Sequence, residues 1–324
     1  MSKFFTNYKL ANLTWFKTGG NAENFFIPNT EEELIFALKN NYCIDANNKK
    51  HYLFQDNIRN ISILGACSNI LIHDFGIKGL VIKLGHELSS IKLDSSNKLI
   101  YVKAGCMNYS IANFCMRYGI LGFEFLIGIP GTAGGGAFMN AGAYSKEYKD
   151  ILSDNFYAIK CIDFYGNIKF FTKEECNFNY RSSIFQKLKN YIIIEVIFQY
   201  KDIDIDYVPI IQEKISHIKE ERKKTQPITD KTCGSTFANH INIPAWKIID
   251  NLGLRGFKFG GAAISTKHAN FIINESSASS NDIFQLICLI KKLAFEKLNI
   301  NLQTEIQFLG FNKEELKDIY IDNY

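Results

Sequence analysis

The chain has 324 residues, a formal net charge of +4, a hydrophobic fraction of 47% and a charged fraction of 22%. A chain of this length can bury a substantial core and suggests about two domains. Its basic residues are scattered among Asp and Glu, which argues against the basic stripe typical of nucleic-acid-binding proteins. No run of about 18 uncharged apolar residues occurs, so no membrane span is predicted.

The cysteines and the N-terminus indicate the compartment. The eight cysteines show no CxxC pair and no Cys/His cluster at zinc spacing, which predicts reduced thiols and no metal site. The first residues lack a sustained apolar segment before a small-residue cleavage site. We therefore expect a cytoplasmic protein without membrane association.

Strands and helices alternate in the first half of the chain. Thr30 followed by three glutamates predicts a helix start, and the helix should run to Asn40. Residues 45–60 are polar and predicted to be loop. Apolar spacing predicts strands at 61–64, 70–72, 80–84, 89–93 and 98–103, and a helix at 107–118.

The second half continues this mixture and has one candidate boundary. Strands are predicted at 154–164, 167–171, 191–200 and 302–308, and helices at 210–224, 243–251 and 281–297. Residues 202–209 are polar and marked by a proline, so we expect a domain boundary there. The polar loop at 225–239 is typical of a functional segment. Residues 311–324 are expected to be a loosely attached tail.

Two glycine-containing segments, 64–71 and 128–144, are the most informative feature. Glycine loses the most conformational freedom on folding, so its density from Gly128 to Gly136 is costly unless the backbone must approach another group closely. That group is often a phosphate held by bare backbone amides. The alternative is a glycine-rich turn between packed elements. The first segment joins strand to strand, which is not the strand–GxGxxG–helix pattern of a Rossmann unit.

The chain resembles the UDP-N-acetylenolpyruvoylglucosamine reductase family in segments that follow one another in the family's order. These are TGG (18–20), LGACSNIL (64–71), GIPGTAGGGAFMNAGAY (128–144), YRSSIF (180–185), CGSTFAN (233–239), KHANFIIN (267–274) and LQTEIQFLG (302–310). The resemblance covers residues 12–310 and is to the compact subgroup that lacks an extra tyrosine-bearing loop.

The resemblance implies an α+β fold, with a two-lobed FAD-binding unit of the vanillyl-alcohol-oxidase (PCMH) type and a C-terminal α+β substrate domain. The expected ranges are 12–84 for the first lobe, 85–200 for the second, 201–310 for the substrate domain and 311–324 for the tail.

The implied activity is that of an NADPH-dependent flavoenzyme with dissociable FAD. It would reduce UDP-GlcNAc-enolpyruvate to UDP-N-acetylmuramate in peptidoglycan precursor synthesis, acting as a cytoplasmic monomer on a small-molecule UDP-sugar. Negative charge develops beside the substrate carboxylate after hydride transfer. The protein should therefore supply a cation to the carboxylate and an acid to the adjacent carbon.

Three residues match the family's catalytic groups, and each has a plainer alternative. Ser235 matches the proton donor, although a serine in such a turn often bonds its own backbone. Arg181 matches the arginine whose planar fork holds a carboxylate, although it could be a surface arginine. Glu305 matches a second acid; in an alternating strand it shares a face with Gln303 and Gln307, which could be solvent-facing. We expect all three to converge over the flavin ring.

The resemblance also assigns binding residues. Those expected at the cofactor are Gly65, Ala66, Cys67, Ser68, Asn69, Ile70, Pro130, Gly131, Thr132, Gly134, Gly135, Asn140, Gly142, Ala143 and Tyr144. Those expected at the substrate diphosphate and sugar are Arg222, Gln226 and Asn239. Lys267 and His268 are left open between packing and direct contact.

The first glycine segment departs from the family pattern, because Ala66 and Cys67 stand where the family usually has glycine. If the backbone there needs a positive φ, a non-glycine residue costs about 1 kcal/mol. We expect the loop to be kept.

Two other functions remain open from the sequence. One is an oxidase of the same flavin fold, which would need no Arg181, Ser235 and Glu305 set. The other is a non-catalytic FAD- or nucleotide-binding module, which would have no reason to keep that set.

Overall fold

A computed structural model of the protein describes residues 2–54, 59–84, 88–144, 149–317 and 319–320. The chain divides into two compact units, each assembled from separated segments. The first unit consists of Met1–Thr6, Asn24–Ala66 and Gly79–Glu221, and the second of Asn7–Glu23, Cys67–Lys78 and Arg222–Tyr324. The predicted domain ranges are contiguous and do not describe this interleaving.

Helices and strands follow one another in mixed order along the chain. The helices are α1 (Glu31–Asn40), α2 (Asn108–Arg117), α3 (Ala133–Met139), α4 (Tyr207–Thr225), α5 (Ala245–Asn251) and α6 (Ser280–Leu298). The strands are β1 (Lys3–Lys9), β2 (Asn21–Ile27), β3 (Tyr42–Ile44), β4 (Lys50–Tyr52), β5 (Ile61–Leu64), β6 (Ile70–Ile72), β7 (Ile77–Lys83), β8 (Ile91–Asp94), β9 (Leu99–Lys103), β10 (Gly142–Tyr144), β11 (Lys149–Ile151), β12 (Phe156–Asp163), β13 (Ile168–Thr172), β14 (Tyr191–Gln199), β15 (Lys258–Phe259), β16 (Ala262–Ile264), β17 (Ile272–Asn274) and β18 (Gln307–Leu309).

The first unit is built on an antiparallel five-stranded sheet in the order β13-β12-β14-β9-β8. Its central strand β14 is an almost continuous apolar run, because it is buried on both faces. Val196 and Phe198 belong to a core with residues of α2 and α3, whereas Ile192 and Ile194 belong to a second core with residues of α1. A second sheet has the order β1-β2-β7-β5.

Helix α1 begins where the sequence predicts. Thr30 has an extended backbone, and its side chain accepts a hydrogen bond from Glu33 N at 3.2 Å. This is the geometry of an N-cap. Glu31, in the first turn, pairs with Lys103 at 3.1 Å and Lys160 at 2.6 Å, which fastens the helix start to β9 and β12.

The second unit gathers short strands around α5 and α6. Strands β15, β16 and β17 form one sheet, and β18 pairs in parallel with β6, with Gln307 opposite Ile70. Helix α6 begins with a capping box, in which Ser279 and Asp282 bond each other's backbone amides. Asp74, two residues after β6, accepts hydrogen bonds from the first two amides of α6 at 2.8 and 2.9 Å.

Three sequence predictions need correction here. The strand predicted at 302–308 is wrong in extent: regular pairing begins only at Gln307, so Glu305 precedes β18. The predicted loop at 45–60 contains β4, which pairs with β3; its residues 55–58 lie outside the described part.

The prediction of a loosely attached tail is also wrong for residues 311–317 and 319–320. Phe311, Leu316 and Ile319 pack against the core of the second unit, and Ile319 is buried. His73 Nε2 lies 3.1 Å from Glu315 Oε1. Apolar residues spaced along this segment attach it to the unit.

Within the described residues, no helix combines the length and the apolar character needed to cross a membrane.

Candidate active site

The two glycine segments contact each other within the first unit. A Cβ built on Gly65 would lie 2.7 Å from Thr132 Oγ1, so only glycine permits this approach. Lys83, at the end of β7, donates a hydrogen bond from Nζ to Gly65 O at 2.8 Å. Lys83 is not predicted as a site residue, because nothing in the sequence shows that it reaches back to this turn.

The second glycine segment forms the first turn of α3. The Thr132 side chain caps the helix and accepts a hydrogen bond from Gly135 N at 3.3 Å, while Gly134 N donates to Ala104 O at 2.9 Å. The prediction of bare amides is therefore wrong for Gly134 and Gly135. Their hydrogen-bond donors are used inside the protein.

The glycines of α3 differ in the space beside them. A Cβ on Gly134 would lie 2.9 Å from Ala104 Cβ, so this glycine is required by packing. A Cβ on Gly135 would have one described atom within 4 Å outside its own helix backbone and chain neighbours. This atom is Thr132 Oγ1, at 3.5 Å. Gly135 thus faces space that a side chain, or a bound group, could fill.

Asn140 ends α3 in the left-handed conformation and is buried. Its Oδ1 accepts a hydrogen bond from Ser153 N at 3.2 Å, and its Nδ2 donates to Asn179 O at 2.9 Å. The carboxamide therefore holds neighbouring backbone in place. Of Tyr144, at the end of β10, only the backbone is described.

Arg181 lies in the first unit beside β10. Its backbone has φ 52, in the left-handed region, which is strained for an arginine. Its Nη2 donates to Gly142 O at 2.7 Å, and Gln186 Nε2 donates to its carbonyl at 3.0 Å. The guanidinium is thus fastened to a segment predicted to bind the cofactor.

Ser235 and Glu305 lie on neighbouring segments of the second unit. Ser235 bridges to Phe271, and Glu305 N donates to Thr236 O at 2.9 Å. Asn69 Nδ2 donates to Glu305 O at 3.0 Å, which ties the first glycine segment to Glu305. Both Ser235 and Glu305 are half-buried. Neither side chain is fully exposed to solvent.

Gly234 precedes Ser235 with a φ of +80. Apart from Gly234 itself and its two chain neighbours, the described residues place no heavy atom within 4 Å of the position that a Cβ would take on Gly234. Both the backbone conformation and the empty space suit a close approach by a bound group beside Ser235.

Cys67 has φ 56 and is buried, so the first glycine segment does need a positive φ at this non-glycine residue. The expected cost of the left-handed conformation is about 1–2 kcal/mol. The nearby Cys233 Sγ contacts Ile70 O at 3.3 Å, and burial raises its pKa to about 12. Cys233 therefore remains a protonated thiol at neutral pH and is a packing residue.

The predicted substrate residues lie in the second unit. Gln226 follows α4, and its N–H donates to Arg222 O at 2.9 Å. Asn239 Oδ1 accepts a hydrogen bond from Ala245 N at 3.1 Å, so its carboxamide holds the start of α5.

Lys267 and His268 favour the packing interpretation. Lys267 Nζ donates to Lys223 O at 2.5 Å, and His268 Nδ1 accepts from Asn270 N at 3.2 Å. Burial, with a smaller effect of Arg255, lowers the pKa of His268 below its usual value. A neutral imidazole can accept this bond, whereas a protonated one cannot.

Two family profiles match this chain and define the class of protein to which it belongs. The profile described as "FAD binding domain" matches residues 52–171, a range that contains both ends of the Gly65–Thr132 contact. The profile described as "UDP-N-acetylenolpyruvoylglucosamine reductase, C-terminal domain" matches residues 226–309, which contain Ser235 and Glu305. The chain thus combines an FAD-binding domain with a second, reductase-type domain.

The family follows from relatives that match nearly end to end. The chain is 42% identical over 94% of its length to the UDP-N-acetylenolpyruvoylglucosamine reductase of Orientia tsutsugamushi strain Ikeda, covering 93% of that protein. It is 43% identical over 94% of its length to that of Rickettsia massiliae, covering 95% of it. This chain belongs to the UDP-N-acetylenolpyruvoylglucosamine reductase family.

The fold agrees with that assignment. The crystal structure of UDP-N-acetylenolpyruvylglucosamine reductase (MurB) from Thermus caldophilus matches with a TM-score of 0.74 and 26% identity, over 95% of this chain and 99% of that one. The predicted α+β fold, with an FAD-binding unit of the PCMH type and a C-terminal α+β domain, is confirmed.

Proposed function

We propose that this protein uses NADPH and FAD to reduce UDP-GlcNAc-enolpyruvate to UDP-N-acetylmuramate, a step of peptidoglycan precursor synthesis. The observation that carries the proposal is the identity of 42% to a reductase of that name across 94% of the chain. The backbone bond between Glu305 and Thr236 supports it, because it makes the segments that carry the Ser235 hydroxyl and the Glu305 carboxyl direct neighbours.

The residues present fit FAD. Gly135 and Gly234 each face space where a side chain would otherwise stand. FAD, when bound, supplies the hydride carrier that NADPH reduces and the enolpyruvyl substrate reoxidises. We assign its binding to the residues predicted above in the 65–70 and 130–144 segments, with Asn140 holding the backbone through its internal bonds.

Ser235 is the proposed proton donor to the carbon beside the substrate carboxylate. A serine hydroxyl is a weak acid in water, but a carbanion or enolate is a strong enough base to take its proton. The donor must be held within hydrogen-bond reach of that carbon. The open space at Gly234 allows the substrate to approach the hydroxyl.

Arg181 is the proposed carboxylate-binding residue. The bond from Nη2 to Gly142 O fixes the plane of the guanidinium. A fork of five donors can keep such a bond and still bind a carboxylate. Its permanent positive charge would stabilise the negative charge that develops on the carboxylate during reduction.

Glu305 is proposed to act as a second acid next to the carboxylate. A protonated carboxyl beside the substrate carboxylate can donate a hydrogen bond to it. Arg222, Gln226 and Asn239 are proposed to contact the diphosphate and sugar. We place the reaction in the cytoplasm, with the chain acting as a monomer of the compact subgroup.

The absorbance spectrum of the purified protein tests this function. We expect the spectrum of oxidised flavin. Under anaerobic conditions, NADPH should bleach it, and UDP-GlcNAc-enolpyruvate should then restore the absorbance. Bleaching by an alcohol followed by restoration with oxygen, without reaction with the enolpyruvyl sugar, would favour an oxidase. A protein that binds FAD but is not bleached by NADPH would be a binding module.

A further inference from the structure

Asn270 lies in the 267–274 segment, whose contribution the proposed reaction does not explain, and it is only 3% exposed. Its carboxamide makes two hydrogen bonds to a single residue. Phe237 N donates to Asn270 Oδ1 at 3.0 Å, and Asn270 Nδ2 donates to Phe237 O at 2.8 Å. The side chain thus replaces the backbone partner that a neighbouring strand would offer.

The backbone of Asn270 extends the same attachment towards Glu305. Asn270 O accepts a hydrogen bond from Thr236 N at 2.8 Å, and Thr236 O accepts one from Glu305 N at 2.9 Å. Residues 236 and 237 are therefore held on one side by Asn270 and on the other by the segment that carries Glu305. Ser235 is the residue that immediately precedes them.

We infer that Asn270 is a positioning residue that fixes the spacing between Ser235 and Glu305 through its carboxamide. The inference rests on the roles proposed for those two residues. Proton transfer requires its donor at a defined distance, and a displacement of about 1 Å can cost about a hundredfold in rate. Loss of the bond to Phe237 O would allow such a displacement.

His268 supports this arrangement from the other side of Asn270. Its Nδ1 accepts the Asn270 N–H at 3.2 Å, and its ring packs edge-on against Phe271 at 4.7 Å. Among the described residues, the titratable side chains of the 267–274 and 302–310 segments, which bond residues 235–238, are Lys267, His268 and Glu305. All three are present in the wild-type protein and in every variant proposed below.

Asn270→Asp replaces the NH2 group of the carboxamide by an oxygen. The variant therefore tests the two side-chain hydrogen bonds one at a time. An ionised aspartate can accept from Phe237 N but repels Phe237 O, whereas a protonated one can also donate to it. Burial and the facing carbonyl raise the pKa of the new carboxyl, so protonation occurs at accessible pH.

We expect reoxidation of the reduced flavin by the enolpyruvyl substrate to slow by about ten- to a hundredfold at about pH 8. The rate should recover towards the wild-type value as the pH falls to about 6. Flavin reduction by NADPH should remain within about twofold of wild type at both pH values, because the Ser235 proton is not used in it.

Asn274→Asp is the matched control. Asn274 is also a buried asparagine of the second unit, and its carboxamide likewise accepts from one backbone amide, Ala278 N at 2.8 Å, and donates to one carbonyl, Phe16 O at 2.7 Å. It makes no bond of this kind to residues 235–238. We expect a comparable loss of thermal stability without the pH-dependent loss of reoxidation.

Each outcome has a distinct meaning. Failure of wild-type reduced flavin to be reoxidised by the substrate would reject the proposed function itself. If wild type reacts but Asn270→Asp and Asn274→Asp share one pH profile, only the inference about Asn270 is overturned. If Asn270→Asp retains no flavin, Asn270→Gln replaces it: this variant keeps donor and acceptor but displaces them. A wild-type reoxidation rate in Asn270→Gln would then overturn the inference.

Discussion

Arg181 combines a strained backbone with a defined side-chain bond. Its φ of 52 lies in the left-handed region, and its Nη2 bonds Gly142 O at 2.7 Å. A non-glycine residue in this conformation costs of order 1–3 kcal/mol and persists only where its surroundings over-determine it. The strained backbone thus orients the guanidinium. The planar shape of the guanidinium should therefore matter for function as well as its charge.

Arg181→Lys should lose most of the reoxidation rate, by about a hundredfold, because one ammonium cannot hold Gly142 O and grip a carboxylate with two parallel bonds. Stopped-flow measurement of the two half-reactions checks this. Arg255→Lys is the control, since Arg255 makes a bidentate pair with Asp250 at 2.8 and 2.6 Å but has no assigned role in the reaction. Near-wild-type reoxidation in Arg181→Lys would remove Arg181 from the site.

His268 should make stability depend on pH. Its folded-state pKa is lowered, first by burial and then by Arg255. As the pH falls below the usual histidine value, the unfolded chain therefore binds a proton before the folded protein does, and stability decreases. The loss continues until the pH falls below the folded-state pKa.

The melting temperature should therefore fall between about pH 7 and pH 5 more steeply in the wild type than in His268→Asn, which keeps a polar side chain but does not titrate. Both proteins share the carboxylates that titrate in this range, so the difference between the two curves isolates His268. Parallel curves would contradict the burial of a neutral imidazole.

Helix α3 offers a test of where the cofactor lies, because its glycines differ in their surroundings. At Gly134 an added methyl group would meet Ala104 Cβ at 2.9 Å, and at Gly135 it would enter open space. Gly134→Ala should destabilise the protein by about 1–3 kcal/mol through overpacking. Gly135→Ala should stabilise the flavin-free protein by about 0.4–1 kcal/mol, because alanine restricts the unfolded chain.

Gly135→Ala should nevertheless weaken FAD binding, because the methyl group occupies the space assigned to the cofactor. Thermal melts of the flavin-free protein and fluorescence titration with FAD measure the two effects separately. Unchanged FAD affinity in a stabilised Gly135→Ala protein would place the cofactor elsewhere.

The elements that the sequence predicted well are those with local causes. The start of α1 follows from Thr30 and the acids after it, and β14 is marked by an apolar run that is visible in the sequence itself. The strand predicted at 302–308 failed because alternation alone does not supply a pairing partner. Regular pairing there depends on β6, which is more than 200 residues away in sequence.

The site was predictable only through its motifs. Ser235 and Glu305 stand in segments that resemble those of the family, whereas Asn270 and Lys83 act through side-chain bonds to distant backbone. Such bonds depend on the fold and leave no local pattern. The glycines of α3 were misjudged in part for the same reason, since Gly134 is explained by Ala104.

Across the protein, the chain leaves each compact unit and returns to it. The second unit takes in residues 67–78, which begin inside the first glycine segment, and pairs their strand β6 with β18. The first glycine segment therefore contributes Gly65 to one unit and Asn69 to the other. Because each unit is assembled from separated segments, a single cut in the chain would not release either unit whole.

Hydride exchange is proposed to lie with the bound flavin, and the final proton with Ser235. Stopped-flow measurement of both half-reactions in Ser235→Ala tests that division most directly. Ser265→Ala serves as control, because Ser265 is a buried serine of the same unit that accepts a bond from Lys267 N at 3.2 Å.

We predict that Ser235→Ala keeps flavin reduction by NADPH close to wild type and loses reoxidation by UDP-GlcNAc-enolpyruvate, whereas Ser265→Ala keeps both. Equal losses in the two half-reactions, or reoxidation of Ser235→Ala at the wild-type rate, would contradict the assignment of the proton to Ser235.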